Sequence, residues 1–104
     1  MSEKDRRLEL HQKLVDVMGG NPVYFQPPEN FKMTYPCIVY SRKPPKTMHA
    51  DDLPYIRRMH YQITVIDKDP DSPYPERVWG IKGMSRVNFF VHDNLNHDIF
   101  EIYY

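Results

Sequence analysis

The chain has 104 residues, 14 basic against 14 acidic side chains, and a single cysteine. A length of this order makes one domain that buries roughly two-thirds of the surface its unfolded chain exposes. Balanced charge removes any whole-molecule attraction to nucleic acid or anionic membrane, and one cysteine excludes an internal disulfide or a thiolate metal cage.

The first 18 residues read as a helix. Ser2 with Asp5 three positions on has the form of a capping box, and Leu10, Leu14, Val17 and Met18 recur at three-and-four spacing. Gly19 and Gly20 close it, because glycine enters the left-handed region without steric cost. Val23 to Gln26 is predicted as a short strand, cut off by Pro27 and Pro28, which remove two ladder donors. Glu29 to Pro36 then connects to an apolar strand from Cys37 to Ser41, where Cys37 is expected as a small buried core residue.

Arg42 to Tyr55, RKPPKTMHADDLPY, has no periodicity and three prolines, and is expected to be one long loop, either functional or disordered. The next stretch, RRMHYQITVIDKDPD, alternates strictly. Met59, Tyr61, Ile63 and Val65 fall on one side of an extended backbone and Arg58, His60, Gln62 and Thr64 on the other. One face is therefore expected to be buried and the other wet. Ser72 as cap, Pro75 in the first turn and Val78, Trp79, Ile81 and Lys82 suggest a short second helix, weakened by Gly80 and Gly83. The remainder reads as a hairpin, Arg86 to Val91 and Leu95 to Tyr104, turning at His92, Asp93 and Asn94. Ile99, Glu101 and Tyr103 alternate with Phe100, Ile102 and Tyr104, so the last strand is expected to offer a partner its second face. Together these elements predict an α+β fold. A mostly antiparallel sheet of about four to five strands is covered on one face by the N-terminal helix and the short second helix.

Candidate chemistry is thin. Asp67, Asp69 and Asp71 occupy the first, third and fifth positions of a calcium-loop pattern, but Ser72 stands where that loop turns on glycine and Val78 where it ends on glutamate. A solvated acidic turn is the better expectation, with a small metal-binding enzyme built on this turn as the alternative from another class. His92 and His97, beside Asp93 and Asp98, lack zinc spacing. His49 lies near Asp51 and Asp52, yet no serine or cysteine sits in a nucleophile elbow. Gly19-Gly20 follows a helix, the wrong polarity for a phosphate cradle. Arg42, Lys43, Lys46, Arg57 and Arg58, with Tyr40 and Tyr55 close by, form a conceivable rim for single-stranded nucleic acid. No apolar run reaches the roughly 18 residues of a membrane span, and MSEKDRRLEL is charged where a secretory signal is apolar, so an intracellular, soluble chain is expected.

The segments VYFQPPENFKMTYPCIVY, HYQITVIDKDPDS and LNHDIFEIYY, in that order and spacing, resemble the small tail terminator (tail completion) proteins of long-tailed double-stranded DNA phages. The resemblance implies a non-enzymatic virion protein of the head-tail connector, assembled in the host cytoplasm without cofactor or membrane. Its copies would form a hexameric ring that caps the tail tube, stops polymerisation of the major tail tube protein and receives the head-completion or connector protein of the filled head. DNA would pass through the lumen without specific binding. A head-completion or stopper ring of the same neck is the neighbouring reading. Subunit and tube contacts are expected at Arg42, Lys43, Lys46, Met48, His49, Asp51, Asp52 and Tyr55 of the long loop, and a lumen-facing acidic turn at Asp67, Asp69 and Asp71.

Overall fold

Ser2 and Asp5 begin the chain's first helix as their spacing requires. The Asp5 N–H donates to the Ser2 hydroxyl at 3.1 Å while the Ser2 N–H donates back to the Asp5 carboxylate at 3.3 Å, closing the capping box. This helix, α1, spans Glu3–Met18 and stops at Gly19, whose φ of 57° places it in the left-handed region. The computed structural model describes residues 2–44 and 58–104.

Five strands follow in one sheet: β1 (Val23–Phe25), β2 (Cys37–Lys43), β3 (His60–Asp67), β4 (Ser85–His92) and β5 (Leu95–Tyr103), with a short helix α2 (Tyr74–Trp79) between β3 and β4. Their spatial order is β1-β2-β3-β5-β4. The β1–β2 pair is parallel and the others antiparallel. β5 thus lies in the interior between β3 and β4, leaving β1 and β4 as the two edges among the described residues.

Gln26 explains how β1 ends while β2 goes on. It adopts a φ of 46°, which turns the backbone away from the ladder just before Pro27, and its side-chain oxygen accepts the Arg42 N–H at 3.0 Å in place of a backbone carbonyl. β2 therefore extends through Arg42 and Lys43, which pair with Tyr61 and His60, two residues beyond the strand end read from sequence.

The core forms on one face of the sheet. Leu10, Leu14 and Met18, spaced by four on α1, pack over Ile38 and Tyr40 of β2, Tyr61, Ile63 and Val65 of β3, and Phe100 and Ile102 of β5, with Val78 of α2 and Met84 closing one side. The Tyr40 ring reaches the polar edge of this core, where its hydroxyl lies 2.7 Å from His11 Nδ1 and accepts from Arg7 at 3.4 Å. The opposite face carries Val39, Thr64 and Ile99 side by side in register, each half-buried. It is less wet than the alternation suggested. His60 and Ile66 of that face are both buried, as is Cys37, and burial together with the Asp67 carboxylate pushes the Cys37 thiol up to about 11.

Three sequence expectations are corrected. α2 ends at Trp79, because Gly80 closes the turn and Ile81 and Lys82 lie past it. Its N-cap is Pro73, with Ser72 instead accepting the Tyr74 N–H at 3.3 Å. His92 belongs to β4, so the hairpin turns on Asp93 and Asn94 alone, at φ values of 53° and 62°.

Candidate interaction surface

The surface of interest starts from strand β4. Edge strands are ordinarily blunted by short length, proline or charge. β1 follows that rule, with three residues and a Pro27-Pro28 stop. β4 does not: all eight of its residues are exposed, and they include Val87, Phe89, Phe90 and Val91 in nearly unbroken succession. A bulge between Arg86 and Asn88 sets Val87 outside the register, so that Phe89 shares the helix side with Arg86 while Phe90 takes the other. Phe89 is 50% exposed and Val91 58%. Trp79, at the end of α2, adds a further 51%-exposed aromatic beside them.

Between α2 and β4 lies an open cavity of about 410 Å³. Pro70, Pro75, Trp79 and Phe89 give it apolar walls, Ser72 and Glu76 a polar rim, and Arg86 with Asp98 a charged floor. Asp98 is only 5% exposed and is held by an ion pair with the Arg86 guanidinium, whose central carbon also lies 5.6 Å from the Trp79 ring centre. The guanidinium satisfies the carboxylate and packs against the indole at once. A second cleft of about 340 Å³ gathers Lys13, Arg58 and Lys82 around Tyr103 and Tyr104. The Tyr104 side chain, hydrogen-bonded to Lys13, holds that ammonium above the ordinary lysine range.

The acidic turn is accounted for by the backbone. Asp67 accepts the Asp69 N–H at 3.1 Å and Asp69 accepts the Asp71 N–H at 2.9 Å, two successive Asx turns that lead the chain out of β3. Asn96 secures the same corner by donating to the Asp67 carbonyl at 3.1 Å. Asp67 is buried, so only Asp69 and Asp71 present exposed carboxylates. Among the described residues no three histidine, cysteine, aspartate or glutamate side chains are grouped to hold a metal ion.

The described histidines of the strands are occupied by packing. His97 stacks on Phe90 at 4.5 Å and faces the Leu95 carbonyl, while His92 contacts Asp93 at 3.2 Å on the exposed turn. His60 lies 2.8 Å from Glu101, stacks on Tyr103, and turns its other ring nitrogen to the Pro44 carbonyl rather than to any hydroxyl or thiol. Of the long-loop candidates, Arg42 forms a half-exposed ion pair with Glu3 at 3.4 Å, and Lys43 ends β2. Lys46, Met48, His49, Asp51, Asp52 and Tyr55 lie outside the described residues.

Sequence reasoning looked for partner contacts on the long loop and on the second face of β5, where Ile99, Glu101 and Tyr103 are part-exposed, and did not single out β4. In the structure Phe100 and Ile102 of β5 enter the core, and β5 is covered on both sides by neighbouring strands. The run FFVH, three consecutive large apolar residues, was the available signal for β4. A strand buried on both faces would read the same way, and only the spatial order shows that this one is an edge.

Comparison with protein-family models, with curated proteins and with solved structures gives no match. No helix among the described residues is long and apolar enough to cross a membrane.

Proposed function

We propose that this chain is a structural subunit of a phage head-tail connector, a tail terminator whose copies form a ring on the end of the tail tube. The observation that carries this reading is the β4 edge. Eight exposed residues with four large apolar side chains, flanked by Trp79, form a surface that a solitary domain would be expected to blunt. Covering such a surface favours association with other chains, and assembly is the function of a ring-forming subunit. The resemblance of the three quoted segments to tail terminators supplies the identity of the assembly.

In this role the protein contributes contacts and makes or breaks no bond. The exposed Asp69 and Asp71 are the carboxylates offered for a lumen wall, where like charge would repel passing DNA. The test is to add purified protein to major tail tube protein, from the same phage, as it polymerises. Tubes should stop lengthening in proportion to the protein added; growth at the unperturbed rate with saturating protein would refute the reading.

A further inference from the structure

Apart from Leu8 on α1, the exposed large apolar side chains of the described residues lie at the two edges of the sheet. Trp79, Val87, Phe89, Phe90 and Val91 cluster at the β4 edge. At the far edge stands Phe31, 43% exposed, beside β1.

Phe31 is held in place before any partner arrives. Its N–H donates to the Pro28 carbonyl at 3.0 Å, its ring meets Tyr24 edge-on at 4.9 Å, and the Tyr24 hydroxyl accepts the Thr34 N–H at 3.4 Å. A side chain fixed in this way loses little freedom on binding. With only three residues before two prolines, β1 offers a neighbour little backbone ladder, so what the far edge has to give is a projecting ring.

The β4 edge offers a concavity: the open 410 Å³ cavity walled by Trp79, Phe89 and Pro75 over the Arg86–Asp98 floor. Aromatic rings inserted into such sites, against a cation already packed on an indole, are the usual anchors of protein interfaces. Charges match as well. Lys32, exposed next to Phe31, is opposite in sign to Glu76, exposed on the cavity rim. The ring cannot fill its own chain's cavity, because four strand spacings, roughly 19 Å, separate the two edges.

We infer that copies of this chain join head to tail, with Phe31 of one copy seated in the Trp79–Phe89 cavity of the next. Two different patches meeting across each contact make a heterologous interface, and repetition by a fixed rotation closes it into a ring. This deepens the proposed function and rests on its ring.

The test uses the full chain carrying Lys32→Cys and Glu76→Cys together, which leaves Phe31 and the Phe89 wall in place, oxidised mildly and resolved without reductant; Cys37 is buried and does not interfere. The double variant should give a ladder of covalent multimers that neither single variant gives. Phe31→Ala should raise the concentration for half-assembly at least roughly tenfold, with an unchanged circular dichroism spectrum. Lys32→Glu and Glu76→Lys should each weaken assembly and together restore it. Covalent dimers from Glu76→Cys alone would overturn the inference in favour of two-fold β4 pairing. An intact ring in Phe31→Ala would likewise overturn the seating while leaving the ring itself standing. A wild-type chain that stays monomeric even on tail tubes would remove both.

Discussion

Asp98 is the residue on which the β4 edge depends most. Its carboxylate is buried on the core side of β5, opposite Val65 and Phe89, and the described structure pairs it with Arg86. Removing one partner of a buried pair costs more than the pair itself contributes, since the remaining charge stays desolvated. Arg86 is 39% exposed, which moderates the loss, so Arg86→Met should destabilise the fold by about 2–3 kcal/mol in urea unfolding. An unchanged midpoint would show that Asp98 finds water or another donor. His11 makes a second prediction at this scale. Burial, with Arg7 nearby, holds its imidazole below the ordinary value of 6.5, so the folded chain binds that proton more weakly than the unfolded one. As pH falls through about 6.5 the unfolded chain takes the proton first, and stability declines from there downward. Wild-type Tm should therefore drop more than that of His11→Gln between about pH 7 and pH 5. Parallel declines would contradict the assignment.

Elements with local chemistry were legible, and elements defined by distant pairing were not. The capping box, the Gly19 stop and the alternating β3 all rest on residues within a few positions of one another, and each appears where its residues require. The helix-on-sheet α+β architecture followed from them. The order β1-β2-β3-β5-β4 did not follow, because no spacing within the chain records that β5 enters between β3 and β4. The exposed β4 edge went unremarked for that reason: identical alternation suits a central strand or an edge. The extent of β2 was missed because its last two residues are secured by pairing with Tyr61 and His60, and the Arg42 N–H by the Gln26 side chain, 16 positions away. The β4–β5 hairpin gives this scale its prediction. Asp93 and Asn94 both take positive φ, which asparagine tolerates and alanine resists. Asn94→Ala should cost about 1 kcal/mol, and Asn94→Gly should cost nothing or stabilise slightly. Equal losses in the two variants would show that the Asn94 side chain, rather than its backbone conformation, matters.

At the scale of the whole molecule, one edge of the sheet is blunted and the other is open. β1 ends after three residues at paired prolines, whereas β4 keeps eight exposed residues and an aromatic-walled cavity beside it. In the proposed ring such an edge would give assembly a direction, with the exposed Phe31 at the far side as donor and the β4 cavity as acceptor. Neutral overall charge suits this, because copies approach without mutual repulsion. Among the described residues the histidines of β3, β4 and β5 are engaged in stacking or turn contacts, and the acidic turn hydrogen-bonds its own backbone, so these groups are explained as parts of the scaffold. The most direct measurement is native mass of the purified protein alone and after incubation with tail tubes of the same phage. The account predicts a species of six times the 12.5 kDa chain, free or retained on tube ends. A 12.5 kDa monomer under both conditions, at every concentration tried, would contradict it.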